Sequence, residues 1–270
     1  MAAALLGACG AGGRSPNGRE TVVASFYPLA YAAQLVGGDR AGIENLTPSG
    51  AEPHDLELTP RAVAEIQRAD VVLYLGHGFQ PAVADAVAGA RGRVVDLLHG
   101  LPVRESDPHV WLDPVLYARI VRRVGAVLRR PAPVAAPIAR LRALDRDYRT
   151  GLAHCARREI VTSHAAFGYL ARRYGLRQVA ITGITPESEP SARDLGRVVR
   201  LVRRTHATTV FFETLVSPRL ADTVAREVGA KTAVLDPIEG LTPAERTRGN
   251  TYFTLMRRNL AALRKALSCR

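Results

Sequence analysis

Residues 70–98 read DVVLYLGHGFQPAVADAVAGARGRVVDLL, and their reading decides the fold. DVVLYLG is a near-continuous apolar run, as expected of a strand buried on both faces. QPAVADAVAGA has the composition of a helix, and GRVVDLL is another short strand. Strand, helix and strand in succession make a βαβ unit, and such units assemble into parallel sheets.

The alternation continues on either side. Upstream, TVVASF is a strand, YPLAYAAQLVGG a helix with glycines at its stop, and AGIENLTP a second strand. TPRAVAEIQRA then starts a helix with a threonine cap and proline at its first position. Downstream, the helix VLYARIVRRVGAVLRR follows WLDP. The composition then shifts at PAPVAAP, where Pro131, Pro133 and Pro137 precede the amphipathic pattern IARLRALDRDYRTGLA. After Cys155 the alternation restarts with REIVTS, QVAITG, ATTVFFE and KTAVLDP as strands, and it closes on the helix NTYFTLMRRNLAALRKAL. The expected fold is therefore α/β, with two lobes joined by one long linker helix. Each lobe has a central, mainly parallel sheet flanked by helices. Residues 1–20 read as a signal remnant and tether, 21–131 as the first lobe, 132–153 as the linker and 154–270 as the second lobe. The prolines place the start of the linker helix near Ile138.

The chain has 270 residues and a net charge of +12, with almost all of the excess in arginine. These arginines occupy outer positions of amphipathic helices, no nucleic-acid motif accompanies them, and aromatic residues are sparse, so the charge reads as solvated surface. At the amino end, Leu6-Gly7-Ala8-Cys9 resembles the lipobox of bacterial lipoproteins, whose cysteine carries a lipid anchor. The positive leader and longer apolar run of a complete export signal are missing before it, so a start upstream of Met1, or a trimmed one, is expected. A chance cysteine in an alanine-rich start is the alternative. If Cys9 is lipidated, Cys155 and Cys269 remain as an even pair in an exported protein, which suggests a disulfide. Free thiols serving a metal are the weaker alternative, since no CxxC is present.

Four candidate ligands follow strands. His54 lies in SGAEPHDLELTP, His109 in SDPHVWLDP between two Asp-Pro pairs, His164 in IVTSHAAFGYL and Asp236 in AVLDPIEGL. Ligands of open parallel sheets gather at the carboxyl ends of strands, so two residues from each lobe would face one another across a cleft. Three imidazoles and one carboxylate suit tetrahedral Zn²⁺, whereas Mn²⁺ prefers more oxygen ligands. Binding requires neutral imidazoles, so affinity is expected to fall below about pH 6. Glu213 ends a strand near the cleft and is a candidate to orient an imidazole from behind, with helix capping as the bland alternative. Glu52 is a spare carboxylate. His77 follows a strand, and His99, His154 and His206 read as surface. Trp111 and Phe167 are expected to pack around the site.

Taken together, AEPHDLELTP, DPHVWLDP, VTSHAAFGYLARRYGL, ITGITPESEPSARDL, VFFETLVSP and AVLDPIEGL resemble the cluster A-I solute-binding proteins of bacterial ABC importers, which bind zinc or manganese. The resemblance spans nearly all of the chain after residue 20. It implies metal held between the lobes by His54, His109, His164 and Asp236. It also implies delivery to an ABC permease and its ATPase, and an extracytoplasmic, lipid-anchored monomer that binds no nucleic acid. Zinc-type members have histidine at the third ligand, as here, where manganese-type members usually have glutamate. The segment LLHGLPVRESDPHV departs from the zinc-type pattern, being short and holding only His99 as a spare imidazole. A manganese-specific member and an envelope zinc hydrolase are the alternatives. A hydrolase would need an open coordination position and a poised base, and no HExxH is present.

Overall fold

The computed structural model describes residues 18–104, 107–186 and 191–270. Cys9, with the tether around it, lies outside these residues. The first sheet contains β1 (Glu20–Ala24), β2 (Ala41–Asn45), β3 (Val71–Tyr74) and β4 (Arg93–Asp96), in the order β2-β1-β3-β4. The second contains β5 (Glu159–Thr162), β6 (Arg177–Ala180), β7 (Thr209–Phe212) and β8 (Lys231–Val234), in the order β6-β5-β7-β8. Every pairing is parallel. The helices are α1 (Tyr27–Gly37), α2 (Pro60–Arg68), α3 (Pro81–Ala86), α4 (Pro114–Val127), α5 (Ala135–Gly151), α6 (Gly168–Arg173), α7 (Ala192–Thr205), α8 (Arg219–Val228), α9 (Pro243–Thr247) and α10 (Tyr252–Ala266). No helix among the described residues is long and apolar enough to cross a membrane.

The apolar strands serve two faces at once, as side chains alternate across a pleat. In the first sheet, Val22, Ala24, Val71 and Leu73 face a central core, while Val23 and Val72 face an outer one with Ile66 of α2 and Val83 of α3. In the second sheet, Ile160 and Phe211 face the same central core, while Val161 and Val210 face an outer core with Val202 of α7 and Val224 of α8. The central core is continuous between the lobes. It contains Tyr117 and Val121 of α4, Leu141 and Tyr148 of α5, and Phe253 and Met256 of α10. Three buried tyrosine hydroxyls there donate to carbonyls: Tyr117 to Pro28 at 2.7 Å, Tyr148 to Met256 at 2.7 Å and Tyr252 to Trp111 at 2.6 Å. Spreading the lobes would expose this apolar surface, so the core itself resists wide hinge motion.

The linker helix differs from expectation. It begins at Ala135, after a 3-10 turn over Ala132–Val134, rather than near Ile138. Pro137 is its third residue, where the backbone N–H has no partner within the helix, so proline costs nothing there. Cys155 and Cys269 are joined in a disulfide that ties the end of the chain to the start of the second lobe.

Candidate metal centre

The three histidines stand at the exits of the sheets. His54 lies in the loop between β2 and α2, His109 starts the turn before α4, and His164 lies two residues after β5. His109 and His164 are oriented by the same device. One carboxylate oxygen, Oδ1 of Asp107, accepts the backbone N–H of His109 at 3.0 Å and lies 2.7 Å from its ring Nδ1. Likewise Oε1 of Glu213, just beyond β7, accepts the His164 N–H at 3.2 Å and lies 2.7 Å from its Nδ1. Each contact turns Nε2 away from the carboxylate. For His54 the carboxylate contact is to the backbone, whose N–H donates to Oε1 of Glu52 at 3.0 Å.

The freed Nε2 atoms meet a carboxylate. Oε1 of Glu239 lies 3.1 Å from His109 Nε2, 3.4 Å from His54 Nε2 and 3.5 Å from His164 Nε2. The Nε2 atoms of His109 and His164 are 3.3 Å apart. His54, His109, His164 and Glu239 are all buried, and each offers one ligand atom within 4.8 Å of the others. For ligand bonds of ~2.0–2.1 Å, a tetrahedral zinc shell has edges of about 3.3–3.4 Å. The four recorded separations, 3.1 to 3.5 Å, have that size. The donor set fits the metal for which the sequence argues.

Asp236 is not part of this group, and this corrects the expected fourth ligand. Its Oδ1 instead accepts the Ile238 N–H at 2.7 Å. Asn259 grips the Asp236 backbone from both sides, accepting its N–H at 2.9 Å and donating to its carbonyl at 2.6 Å. Trp111 of the first lobe donates its indole N–H to Pro237 O at 2.7 Å. Ile238 lies between these anchors with φ 59°, a conformation that β-branched side chains rarely adopt. The turn therefore carries the chain past Asp236 and projects Glu239, three residues further on, into the cluster.

Glu213 lies against His164, as described. Asp107 was not singled out, although it stands two residues before His109 in the motif SDPHV, a spacing at which aspartate often bonds the following backbone. Phe79 packs edge-on against His54 with ring centroids 4.6 Å apart, and Trp111 lies 5.1 Å from the His109 ring. Phe167 is buried in the central core. His77, His99, His154 and His206 are exposed and outside the cluster.

The electrostatics couple these groups. Burial opposes charge on His164, but hydrogen bonds to Glu213 and Glu239 outweigh it and push its pKa up to about 10. For His109, burial is likewise outweighed by Asp107 and Glu239, and the pKa rises. Burial alone would raise Glu239, yet bonding to His109, His164 and His54 drives it well below the usual carboxylate range. Without metal, then, protons on His109 and His164 offset the charge of Glu239. Burial raises Asp236 to about 7, and burial together with Glu239 raises Glu52 to about 9. The two lobes meet beside the cluster, where Leu241 O accepts the Ser49 hydroxyl at 2.6 Å and the Gly50 N–H at 2.9 Å.

Residues 22–266 match the family described as zinc-uptake complex component A, periplasmic. The chain is 34% identical over 301 residues to the high-affinity zinc uptake system protein ZnuA of Bacillus subtilis (strain 168), covering 97% of this chain and 94% of that protein. It is 35% identical to the zinc-binding lipoprotein AdcA of Streptococcus pneumoniae over 98% of its own length, but spans only 59% of AdcA. The solved Zn(II)-bound ZnuA-like domain of that AdcA superposes with a TM-score of 0.79 at 36% identity, covering 93% of this chain and 99% of the domain.

Proposed function

Since the chain belongs to the zinc-uptake complex component A family, we propose that it is the binding protein of a zinc importer, capturing Zn²⁺ between its lobes and passing it to an ABC permease. His54, His109, His164 and Glu239 are the ligands in this reading. The observation that carries it is the donor cluster: four of its six separations are 3.1–3.5 Å, the edge length of a tetrahedral zinc shell, and all six lie within 4.8 Å. Three neutral imidazoles and one carboxylate leave a net charge of +1 on the bound site. Four protein donors complete the shell and leave no position for an activated water, so the site binds rather than hydrolyses. An extracytoplasmic setting with a lipid on Cys9 is supported by the name of the pneumococcal relative and by the lipobox-like Leu6–Cys9.

Calorimetric titration of metal-free protein tests the reading. One Zn²⁺ per chain is expected, with at least about hundredfold weaker binding for His164→Ala and Glu239→Ala. The chelated protein should stay folded. Unchanged affinity in both variants, or turnover of ester, amide or phosphate substrates by the zinc form, would overturn it. His164→Glu is expected to shift competitive binding towards Mn²⁺, since it replaces nitrogen by oxygen.

A further inference from the structure

The amino ends of the first sheet carry a feature that the metal cluster does not use. A concavity of about 390 Å³ lies there, and five of its eight lining residues are arginine: Arg19, Arg40, Arg93, Arg129 and Arg130. Of the 37 basic residues in the chain two are lysine, so arginine accounts for only about one residue in eight overall. Composition alone would place one arginine in such a hollow. A second hollow beside it, of about 570 Å³, shares Arg40, Arg129 and Arg130.

The sheet fixes the location. Glu20 opens β1, Arg40 immediately precedes β2, Asp70 immediately precedes β3, and Arg93 opens β4. All four strands are parallel, so the hollow lies at the edge opposite the carboxyl ends from which the His54 loop and the His109 segment emerge.

Five guanidiniums and the two carboxylates of Glu20 and Asp70 leave three positive charges in excess. Both carboxylates are engaged: Glu20 pairs with Arg93, and Asp70 accepts the Thr21 N–H at 2.8 Å. Arg93 also donates to Val127 O, and Arg130 donates to Gly37 O at 3.2 Å, so two of the heads are anchored by the fold. Arg19, Arg40 and Arg129 have no carboxylate partner among the described residues. Arg129 also ends α4 in the left-handed conformation, φ 52°, where glycine would cost less. Clustered guanidiniums repel one another unless an anion joins them, and their planar forks match phosphate oxygens in pairs.

The geometry points to a phosphate-binding site formed by Arg19, Arg40, Arg129 and Arg130, on the face away from the metal cluster. Its ligand is a phosphate-bearing anion, either free or on a lipid headgroup. The site is independent of the zinc reading.

Two measurements on the zinc-loaded full chain at low ionic strength test it. One is calorimetry with inorganic phosphate; the other is co-sedimentation with phosphatidylcholine vesicles made with and without phosphatidylglycerol. The variant Arg40→Ala/Arg129→Gly removes two guanidiniums and relieves the left-handed residue, so its melting temperature should not fall. The control Arg200→Ala/Arg204→Ala removes the same charge from α7. Binding in calorimetry identifies a free phosphate as sufficient, and binding to anionic vesicles alone identifies the headgroup. Either is expected to weaken at least about tenfold in the pocket variant and less than about twofold in the control, with zinc stoichiometry unchanged. No binding in either measurement, or equal weakening in the control, overturns the assignment.

Discussion

The carboxylate of Asp236 accepts the backbone N–H of Ile238 at 2.7 Å, and that bond closes the turn that brings Glu239 to the three imidazoles. A buried isoleucine at φ 59° persists only where its surroundings over-determine it. Asparagine at 236 keeps an oxygen for this bond, whereas alanine removes it. Asp236→Asn is therefore expected to stay within about threefold of the original zinc affinity, and Asp236→Ala to lose about 10–100-fold, by analogy with lost outer-sphere partners. Competition against a chelator of known affinity measures both. Equal, large losses would mean that Asp236 itself ligates.

Asp107 and Glu213 hold the Nδ1 atoms of His109 and His164 at 2.7 Å. Such carboxylates set ring orientation and raise ligand basicity. Asp107→Ala and Glu213→Ala should each weaken zinc binding about 10–100-fold while leaving the stoichiometry at one. Loss of stoichiometry instead would place the residue among the ligands.

The raised imidazole pKa values give a pH dependence with a definite sign. His164, with a pKa of about 10, is protonated in the metal-free protein at pH 7–9 and must lose that proton to bind zinc. Affinity should therefore rise by up to about tenfold per pH unit between pH 7 and 9, and calorimetry in buffers of different ionisation enthalpy should show proton release. In the metal-free fold the sign is opposite. The imidazolium–carboxylate contact stabilises fully below the ordinary histidine value of ~6.5 and is lost as pH rises through about 10. A flat affinity between pH 7 and 9 contradicts this electrostatic account.

The Cys155–Cys269 bond joins residues 114 apart in sequence. Loop-closure entropy sets an upper bound of about 4–5 kcal/mol on its stabilisation. Reduction, or Cys269→Ser, should lower the melting temperature by several degrees without altering zinc stoichiometry, since the pair lies outside the cluster.

Gly125 in α4 faces the turn before α5, and a Cβ there would fall 2.3 Å from a methyl of Val134. Gly125→Ala is expected to destabilise by about 1–3 kcal/mol through overpacking, despite alanine's better helix propensity. Gly125→Ala/Val134→Ala should recover part of that loss. Chemical denaturation measures both.

Much was decided along the chain itself. DVVLYLG, an apolar run buried as β3, is followed by a helix and the short strand GRVVDLL, and strand–helix–strand succession specifies a parallel sheet. Strand-end placement likewise picked out His54, His109 and His164, since a parallel sheet directs its loops to one edge. Three things depended on tertiary structure. Whether Asp236 or Glu239 reaches the cluster turns on a left-handed Ile238, which local preference disfavours and which Asp236, Asn259 and Trp111 together impose. The start of α5 at Ala135 depends on what the first turn of a helix tolerates, not on where prolines occur. The protonation of the imidazoles depends on carboxylates brought from distant segments, 49 residues away for Glu213 and His164. Periodicity reports which face of an element is apolar; it carries no record of which distant charges share a buried site.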